Sequence, residues 1–396
     1  MAINDNGLGA PPHNLAPAAW EVLLIEDDDN ARRQIKEYFA GRIIDGRGIT
    51  FHEIGNWNDA FGLIRDRKAD LAILDIYRGE AAAGGERVGE RVLEDIKRFG
   101  FVPVIIYTNL PEGLDGLQNE FVHLAPKLDG LDRLREHMEA IFNTRMPRMH
   151  RAIVNHLDRA LRDYMWGFVA ARWTELHEFG GRPEFLRLLL QRLGSSFVRE
   201  GLASAMAEVF PGQEGLINPE RAHPAEFYLK PPIPPDPALG DIRLRENNGA
   251  QQYLVVLWPT CDMVSTGGRV PKTEDILCAR AQPLGGSPEA QAYAVEQSKS
   301  RYKQLVALMT NNRGTSPDRY HFLPRFLDIP SLIIDFQALE HLRLADVRAY
   351  PSLGVLVSPF AEHLSARFDR YRGRIGTPDL DCDSLVALEG WAMPPP

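Results

Sequence analysis

Five side chains on four separate stretches have the types needed to hold a phosphoryl group beside a divalent cation. Glu26 and Asp27 open an acidic cluster after Val22-Leu23-Leu24-Ile25, and Asp75 closes the run Leu71-Ala72-Ile73-Leu74. Thr108 follows Val104-Ile105-Ile106-Tyr107, and Lys127 follows Phe121-Val122-His123-Leu124 by way of Ala125-Pro126. Hard carboxylate oxygens hold a metal such as magnesium, the metal neutralises phosphate charge, and an ammonium and a hydroxyl bind phosphoryl oxygens.

The elements that would position these groups are legible from their patterning. An apolar run without polar alternation is a strand buried on both faces of a parallel sheet, and in such sheets ligands bind beyond the carboxyl ends of the strands. All four runs carry their polar residues at the exit, so the ends converge on one edge. Helical stripes fall between and after them: Ile35, Phe39 and Ile43; Trp57, Phe61 and Ile64; Val88, Val92 and Ile96; Leu131, Leu134, Met138 and Ile141. Strand and helix in alternation give an α/β, doubly wound architecture.

On these residues the stretch 20–142 resembles a response-regulator receiver domain, which implies a flavodoxin-like, five-stranded parallel sheet. The resemblance implies that Asp75 is the phosphoacceptor and that Glu26 and Asp27, with Asp75 and the backbone carbonyl of Tyr77, hold Mg2+. It makes Thr108 the switch hydroxyl and Lys127 the signature lysine. It also implies a histidine kinase or phosphotransfer protein as partner, and autophosphatase activity. A receiver that keeps the fold and has lost the chemistry is the alternative, and the filling of every reactive position argues against it. The chain departs from the family pattern in four places. The loop from Arg78 to Gly89, with Gly84-Gly85, is long, and Leu110 to Glu120 is short for a full fourth helix. Leu124 stands where the family has an aromatic switch residue, and Lys127 follows its proline instead of preceding one. All four fall on the face that normally signals phosphorylation.

Composition sets the outer bounds. A chain of 396 residues, 44% hydrophobic and 25% charged, is long enough for two or three folded domains. No apolar stretch approaches the roughly 20 residues of a membrane span, and no basic-then-apolar leader opens the chain. Three cysteines without close pairing fit a reducing cytoplasm. A net charge of −9 argues against bulk attraction to nucleic acid. The expected order is a disordered lead-in (1–19), the receiver (20–142), a helical block (146–210), a proline-rich connector (224–238) and a C-terminal α+β domain with a small β core (239–396).

In the helical block Ile153, Leu157, Leu161, Tyr164, Phe168 and Leu176 recur at helical spacing with Arg151, Arg159, Arg162 and Arg172 between them. Gly180-Gly181-Arg182-Pro183 ends the first helix and Glu184 to Val209 reads as a second. An intramolecular hairpin, with the arginines on a solvated face, stands beside a homodimer seam and, third, a nucleic-acid contact. Beyond the connector, strands are expected at Gly240–Leu244, Tyr253–Trp258, Asp275–Ala281, Arg319–Pro324 and Ser331–Phe336, with helices at Pro288–Asn311 and Pro359–Tyr371. The first two strands weakly resemble the small β-barrel of PemK-like toxins.

The candidate output site is Cys261-Asp262, after an apolar strand. A cysteine nucleophile needs a base or a cation to favour the thiolate, and Lys272, Arg301, His321 and Arg374 are candidates. The bland reading makes Cys261 a small buried hydrophobe, Asp262 a turn cap and His321 a satisfied core histidine. Asp335 ends an apolar strand as Asp75 does, without identifiable partners. Cys261, Cys278 and Cys382 show none of the short ligand spacings of a zinc site, which argues against zinc. The sequence therefore reads as a phosphorelay protein in which the receiver controls the C-terminal domain. The alternatives are a receiver-regulated effector enzyme acting on nucleic acid or a nucleotide, in an architecture similar to bacterial conflict and phage-defence systems, or a non-catalytic interaction module.

Overall fold

The computed structural model describes residues 18–55, 69–77, 88–178, 182–196, 202–212, 221–233, 236–247, 249–312, 318–374 and 381–391. The chain divides into two compact units, 1–217 and 218–396. Among the described residues no helix is long and apolar enough to cross a membrane.

The first unit opens with β1 (Trp20–Ile25), α1 (Asp29–Phe39), β2 (Ile49–Ile54), β3 (Leu71–Leu74), α2 (Gly89–Phe99), β4 (Val104–Thr108), β5 (Val122–Pro126) and α3 (Gly130–Asn143). The five strands are parallel in the order β2-β1-β3-β4-β5, the flavodoxin-like arrangement. Alternate residues of a strand face opposite sides, which splits the apolar runs between two cores. Leu23, Leu74 and Ile106 pack with Val92 and Ile96 of α2. Leu24, Ile73 and Ile105 pack with Ile35 of α1 and with Leu134, Met138 and Ile141 of α3. Each such side chain contributes roughly 1.5–3 kcal/mol on burial.

Several expectations are corrected here. Helix α1 stops at Phe39, Gly41 follows in a left-handed conformation (φ 72°), and Ile43 is exposed while Ile44 takes the buried position. Strand β2 was not anticipated. As the short segment from Leu110 to Glu120 leads us to expect, no full helix lies between β4 and β5, only the 3-10 turn Asp115–Leu117. The stripe at Trp57, Phe61 and Ile64, the loop residues 78–87 and nearly all of the lead-in lie outside the described residues.

The same unit continues into α4 (Met146–Tyr164), a π-helical turn (Met165–Val169), a 3-10 turn (Ala170–Arg172), α5 (Trp173–Glu178), α6 (Arg182–Ser196) and α7 (Leu202–Val209). Of the second helix expected from Glu184 to Val209, the stretches within Arg182–Ser196 and Leu202–Val209 are helical, and residues 197–201 lie outside the described residues. The arginines at the start of α4 are not a solvated face. Asp45 receives Arg145 Nη1 at 2.6 Å and also pairs with Arg148. Asp70 receives Arg151 Nε at 2.8 Å and the backbone N–H of Glu21 at 2.8 Å. The Arg151 and Arg47 guanidinium groups lie 4.5 and 4.7 Å from the centroid of the buried Trp20 ring. Trp20, Glu21 and Asp70 stand at the amino ends of β1 and β3, so α4 is fastened at the end of the sheet opposite the one that carries Glu26 and Asp75. The apolar residues Ile153, Leu161 and Phe168 remain exposed.

The second unit is built on a seven-stranded antiparallel sheet in the order β10-β11-β9-β8-β7-β12-β6. Its strands are β6 (Tyr228–Leu229), β7 (Asp241–Asn247), β8 (Ala250–Val256), β9 (Asp275–Pro283), β10 (Tyr320–Leu323), β11 (Leu332–Arg343) and β12 (Ser352–Leu356). Its helices include α8 (Thr260–Met263), α9 (Pro288–Val295), α10 (Lys299–Met309), α11 (Leu344–Ala349), α12 (Phe360–Arg372) and α13 (Cys382–Leu388). The proline-rich stretch contributes an edge strand, because Tyr228 and Leu229 pair with Leu356 and Val355. The long helix expected over Pro288–Asn311 is broken at Glu296, and the Ser298 side chain caps the new start by accepting from the Arg301 N–H. Tyr302 is consequently exposed, and Leu308 is the buried residue of α10. One face of the sheet packs Val255, Ile334 and Phe336 with Leu364 and Phe368 of α12. The other carries a smaller cluster of Leu254, Val256, Cys278 and Val347.

His321 on β10 is buried, with its ring 5.3 Å from that of His363 and Arg367 beside both. Among the described residues its Nδ1 has no hydrogen-bond partner, so within them it is a core histidine but not a satisfied one. Burial first, then the charges of His363 and Arg367, push its pKa down to about 3; Arg367 is itself paired with Asp318, which also meets Arg370. A histidine depressed in the folded state stabilises fully above its unfolded value of about 6.5, and that stability is lost as pH falls toward 3. Chemical denaturation of the protein between pH 7 and pH 4 should therefore show a loss on the order of a few kcal/mol, and His321→Phe should flatten that slope. An equal slope in the variant would remove His321 as its cause.

Candidate functional site

The ladder of the parallel sheet delivers the acids to one edge. Ile25 pairs with Leu74, and the Asp75 N–H donates to the Ile25 carbonyl at 2.9 Å, so Glu26 and Asp75 leave neighbouring strands side by side. On the far side Leu74 pairs with Ile106, and Thr108 pairs with Pro126, next to Lys127. The four strand ends expected to converge do converge.

The centre of the cluster is Lys127. Its Nζ donates to Glu26 Oε2 and to Asp75 Oδ2, both at 2.6 Å. The Glu26, Asp27 and Asp75 carboxylates each place an oxygen within 4.8 Å of the others. Glu26 and Asp75 are buried and Asp27 is half-buried. Local hydrogen bonds fix the carboxylates. The Asp28 N–H donates to Glu26 Oε1 at 3.3 Å and the Tyr77 N–H to Asp75 Oδ1 at 3.2 Å. Burial pushes the Glu26 pKa up, and the Lys127 ammonium pulls back only part of that shift. Burial alone would lower Lys127, but Asp75 and Glu26 outweigh it and the ammonium is held above its ordinary value. The Tyr107 ring lies 5.9 Å from the same nitrogen.

Thr108 is fully buried at the end of β4, and its Oγ1 has no hydrogen-bond partner among the described residues. A buried hydroxyl without a partner costs roughly 1–3 kcal/mol, and a ligand oxygen would relieve it. Tyr77 is half-buried against the core. Leu124 packs partly buried on the same core, so the aromatic switch position is filled by an aliphatic side chain.

One residue of this site escaped the sequence reading. Gly89 opens α2 with its N–H donating to the Ile76 carbonyl at 3.0 Å, and a Cβ there would lie 2.5 Å from the Asp75 carbonyl oxygen and 2.6 Å from Ile76 Cα. Only glycine lets α2 approach the backbone that carries Asp75.

The candidates of the second unit do not assemble in this way. Cys261 is exposed on the short helix α8, and the buried cysteine is Cys278, whose thiol burial pushes up to about 12. The Cys261 sulfur lies 3.5 Å from Asp262 Oδ1, which meets Lys272 Nζ at 3.3 Å. Of the four suppliers named for Cys261, Lys272 alone is brought near among the described residues, and it is paired with the acid. Asp335 has clear partners: it receives Arg319 at 2.9 and 2.8 Å and the Gln337 N–H at 3.0 Å.

An acid pocket at the carboxyl ends of a 2-1-3-4-5 parallel sheet, with a lysine bridging two of the acids, is the layout of a receiver domain. Similarity to one curated protein agrees. A stretch of 130 residues is 28% identical to the probable C4-dicarboxylate response regulator DctR of Bacillus subtilis (strain 168), covering 32% of this chain and 53% of that protein. The chain thus spans about half the length of that relative. A solved signal receiver domain of a putative Luxo repressor protein from Vibrio parahaemolyticus is 24% identical, with 30% of this chain and 87% of that chain covered and a TM-score of 0.24. No family model matches the chain. The N-terminal segment is a divergent receiver domain.

Gly89→Ala should destabilise the first unit by about 1–3 kcal/mol, the usual cost of overpacking, in urea denaturation. An unchanged midpoint would show that α2 can retreat from Asp75 without cost.

Proposed function

We propose that residues 20–142 accept a phosphoryl group on Asp75 from a histidine kinase or phosphotransfer partner. The supporting observation is the Lys127 ammonium, 2.6 Å from both Asp75 and Glu26. An Asp75 carboxylate oxygen forms the new P–O bond as the donor's P–N bond breaks, and the imidazole leaves with a proton. Lys127 stays with the transferred group and neutralises its oxygens, and the Thr108 hydroxyl donates to one of them.

The donor set suits magnesium, since Glu26, Asp27 and Asp75 offer only oxygen and the unpartnered Thr108 hydroxyl marks room for a further oxygen ligand. These three carboxylates would hold the ion, with the Tyr77 carbonyl as the family resemblance implies. When bound, Mg2+ supplies charge neutralisation to the phosphoryl oxygens. Hydrolysis of the acyl phosphate then returns Asp75 to its carboxylate, which is the autophosphatase step.

Phosphorylation would control the segments that follow, the helical block (146–210) and the C-terminal domain (239–396), with the proline-rich residues 224–238 between them. The exposed stripe at Ile153, Leu161 and Phe168 would serve a homodimer if the output requires one. A cytoplasmic place in a bacterial defence system belongs to the same proposal.

Incubation with acetyl phosphate and Mg2+ should label the protein, as read on a phosphate-affinity gel. Asp75→Asn or EDTA should abolish the label, and Lys127→Ala should reduce it at least tenfold. Label persisting in Asp75→Asn would sink the proposal, as would its absence from the parent protein in Mg2+.

A further inference from the structure

Two histidines meet where strand β5 borders helix α3. His123 is held on β5 by its ladder pairing with Ile105, and His137 lies on α3 beside Met138, one of the buried residues that pin this helix to the sheet. The two rings stand at 72° with centroids 5.3 Å apart, and their Nδ1 atoms are 3.2 Å from each other. Two apposed ring nitrogens need something positive between them, because their lone pairs repel. One shared proton can serve, and so can a metal ion.

The spacing suits the ion. At zinc–nitrogen lengths of about 2.0–2.1 Å and a tetrahedral angle, two ligating nitrogens stand about 3.3–3.4 Å apart. Burial pushes the pKa of both histidines down, for His137 with help from the charges of His123 and Arg133, so both imidazoles are neutral at pH 7 and have lone pairs to give. The His137 Nε2 is buried and has no hydrogen-bond partner among the described residues, so no contact on that side dictates which nitrogen carries the proton. The His123 ring is oriented by the Glu120 backbone carbonyl, the kind of outer contact that fixes ligating imidazoles. The exposed carboxylates of Glu120 and Asp129 lie close enough to act on the charges of His123 and His137, and they offer oxygens to the remaining coordination positions. Arg133, the cation that acts on His137, is itself paired with Glu136 at 2.6 Å.

We propose that His123 and His137 form a binding site for a transition-metal ion of the zinc type, held through both Nδ1 atoms. Imidazole nitrogen selects zinc, copper or nickel over magnesium, which separates this pair from the all-oxygen cluster around Asp75. No cysteine takes part, so the spacing that argues against a thiolate site has no bearing on it. The ion would cross-link β5 to α3. Lys127 follows His123 by four residues, on the turn that leads into α3, so the cross-link would hold the strand end that carries Lys127 against that helix.

The test is titration of the full-length protein with Zn2+ against a chromophoric chelator, in excess Mg2+. One equivalent should bind with micromolar affinity, weakened tenfold or more by His123→Gln and by His137→Gln and unchanged by His52→Gln at the opposite edge of the same sheet; zinc held by the receiver carboxylates would survive both of the first two substitutions. Zinc should raise the melting temperature of the parent and not of those two variants. Copper(II) at one equivalent should show electron paramagnetic resonance splitting from two imidazole nitrogens in the parent, a measurement that needs no variant to fold. The proposal is overturned by no zinc bound at submillimolar concentration, by equal binding in the parent and both variants, or by a parent copper spectrum without the two-nitrogen pattern.

Discussion

Three carboxylates crowd together at the end of the receiver sheet, where Lys127 bridges two of them, and the rest of the site follows from that crowding. Glu26, Asp27 and Asp75 approach to within 4.8 Å of one another. Lys127 can neutralise one charge and bridges two of the acids. Like charges this close in a partly desolvated setting oppose ionisation, and burial does hold the Glu26 pKa up. The sheet enforces the crowding all the same. Parallel register places Glu26 beside Asp75, and both carboxyl groups are further held by backbone N–H donors. Oxygen donors held this close together are the kind a divalent cation requires.

How much of this was legible depended on whether the signal was local. Asp75, Thr108 and Lys127 could be read because each ends an apolar run that is buried on both faces, with no competing pattern. Strand β2 could not, since Ile49–Ile54 is an edge strand that interposes His52 and Glu53, and only Ile54 is fully buried. Gly89 was read as the end of a loop, because its close approach to Asp75 is a tertiary fact with no local mark. Arg159 and Arg162 of α4 are exposed as read, but Arg151 was placed on the same solvated face for the general reason that charged residues seldom go inside, and it is drawn in. The partners that draw Arg148 and Arg151 in, Asp45 and Asp70, lie 103 and 81 residues earlier in the chain. By contrast the break in the helix at Glu296 was readable in principle, since Ser298 is an ordinary N-cap residue.

The cysteines show how an environment can reverse a reading. Cys278 sits inside β9 among Leu254, Val256 and Val347, where burial keeps it a thiol. Cys261 follows β8 by only a few residues, but the chain turns out into the short helix α8 and exposes it. Both are preceded by apolar residues. What separates them is that β9 is flanked by strands on both sides, whereas α8 is a surface turn after the sheet has ended.

The two departures on the signalling face, a single 3-10 turn between β4 and β5 and an aliphatic residue at Leu124, leave α3 as the described element that joins Lys127 to the helical block. Lys127 begins the short turn that leads into α3 through Gly130 (φ 81°). At the far end of α3 the Phe142 ring packs on Trp20, with centroids 4.6 Å apart. The cations of Arg47 and Arg151 also lie against Trp20, and Arg151 belongs to α4. Trp20 is therefore a joint that touches both helices, and Asp70 ties it to the sheet by binding Arg151 and the Glu21 N–H together. Dense interiors respond to a displaced helix by switching between discrete packings and do not deform smoothly. A change in where Lys127 is held would thus reach α4 as a repacking around Trp20 or be absorbed within α3, and the ion pairs at Asp45 and Asp70 set how large it must be to pass.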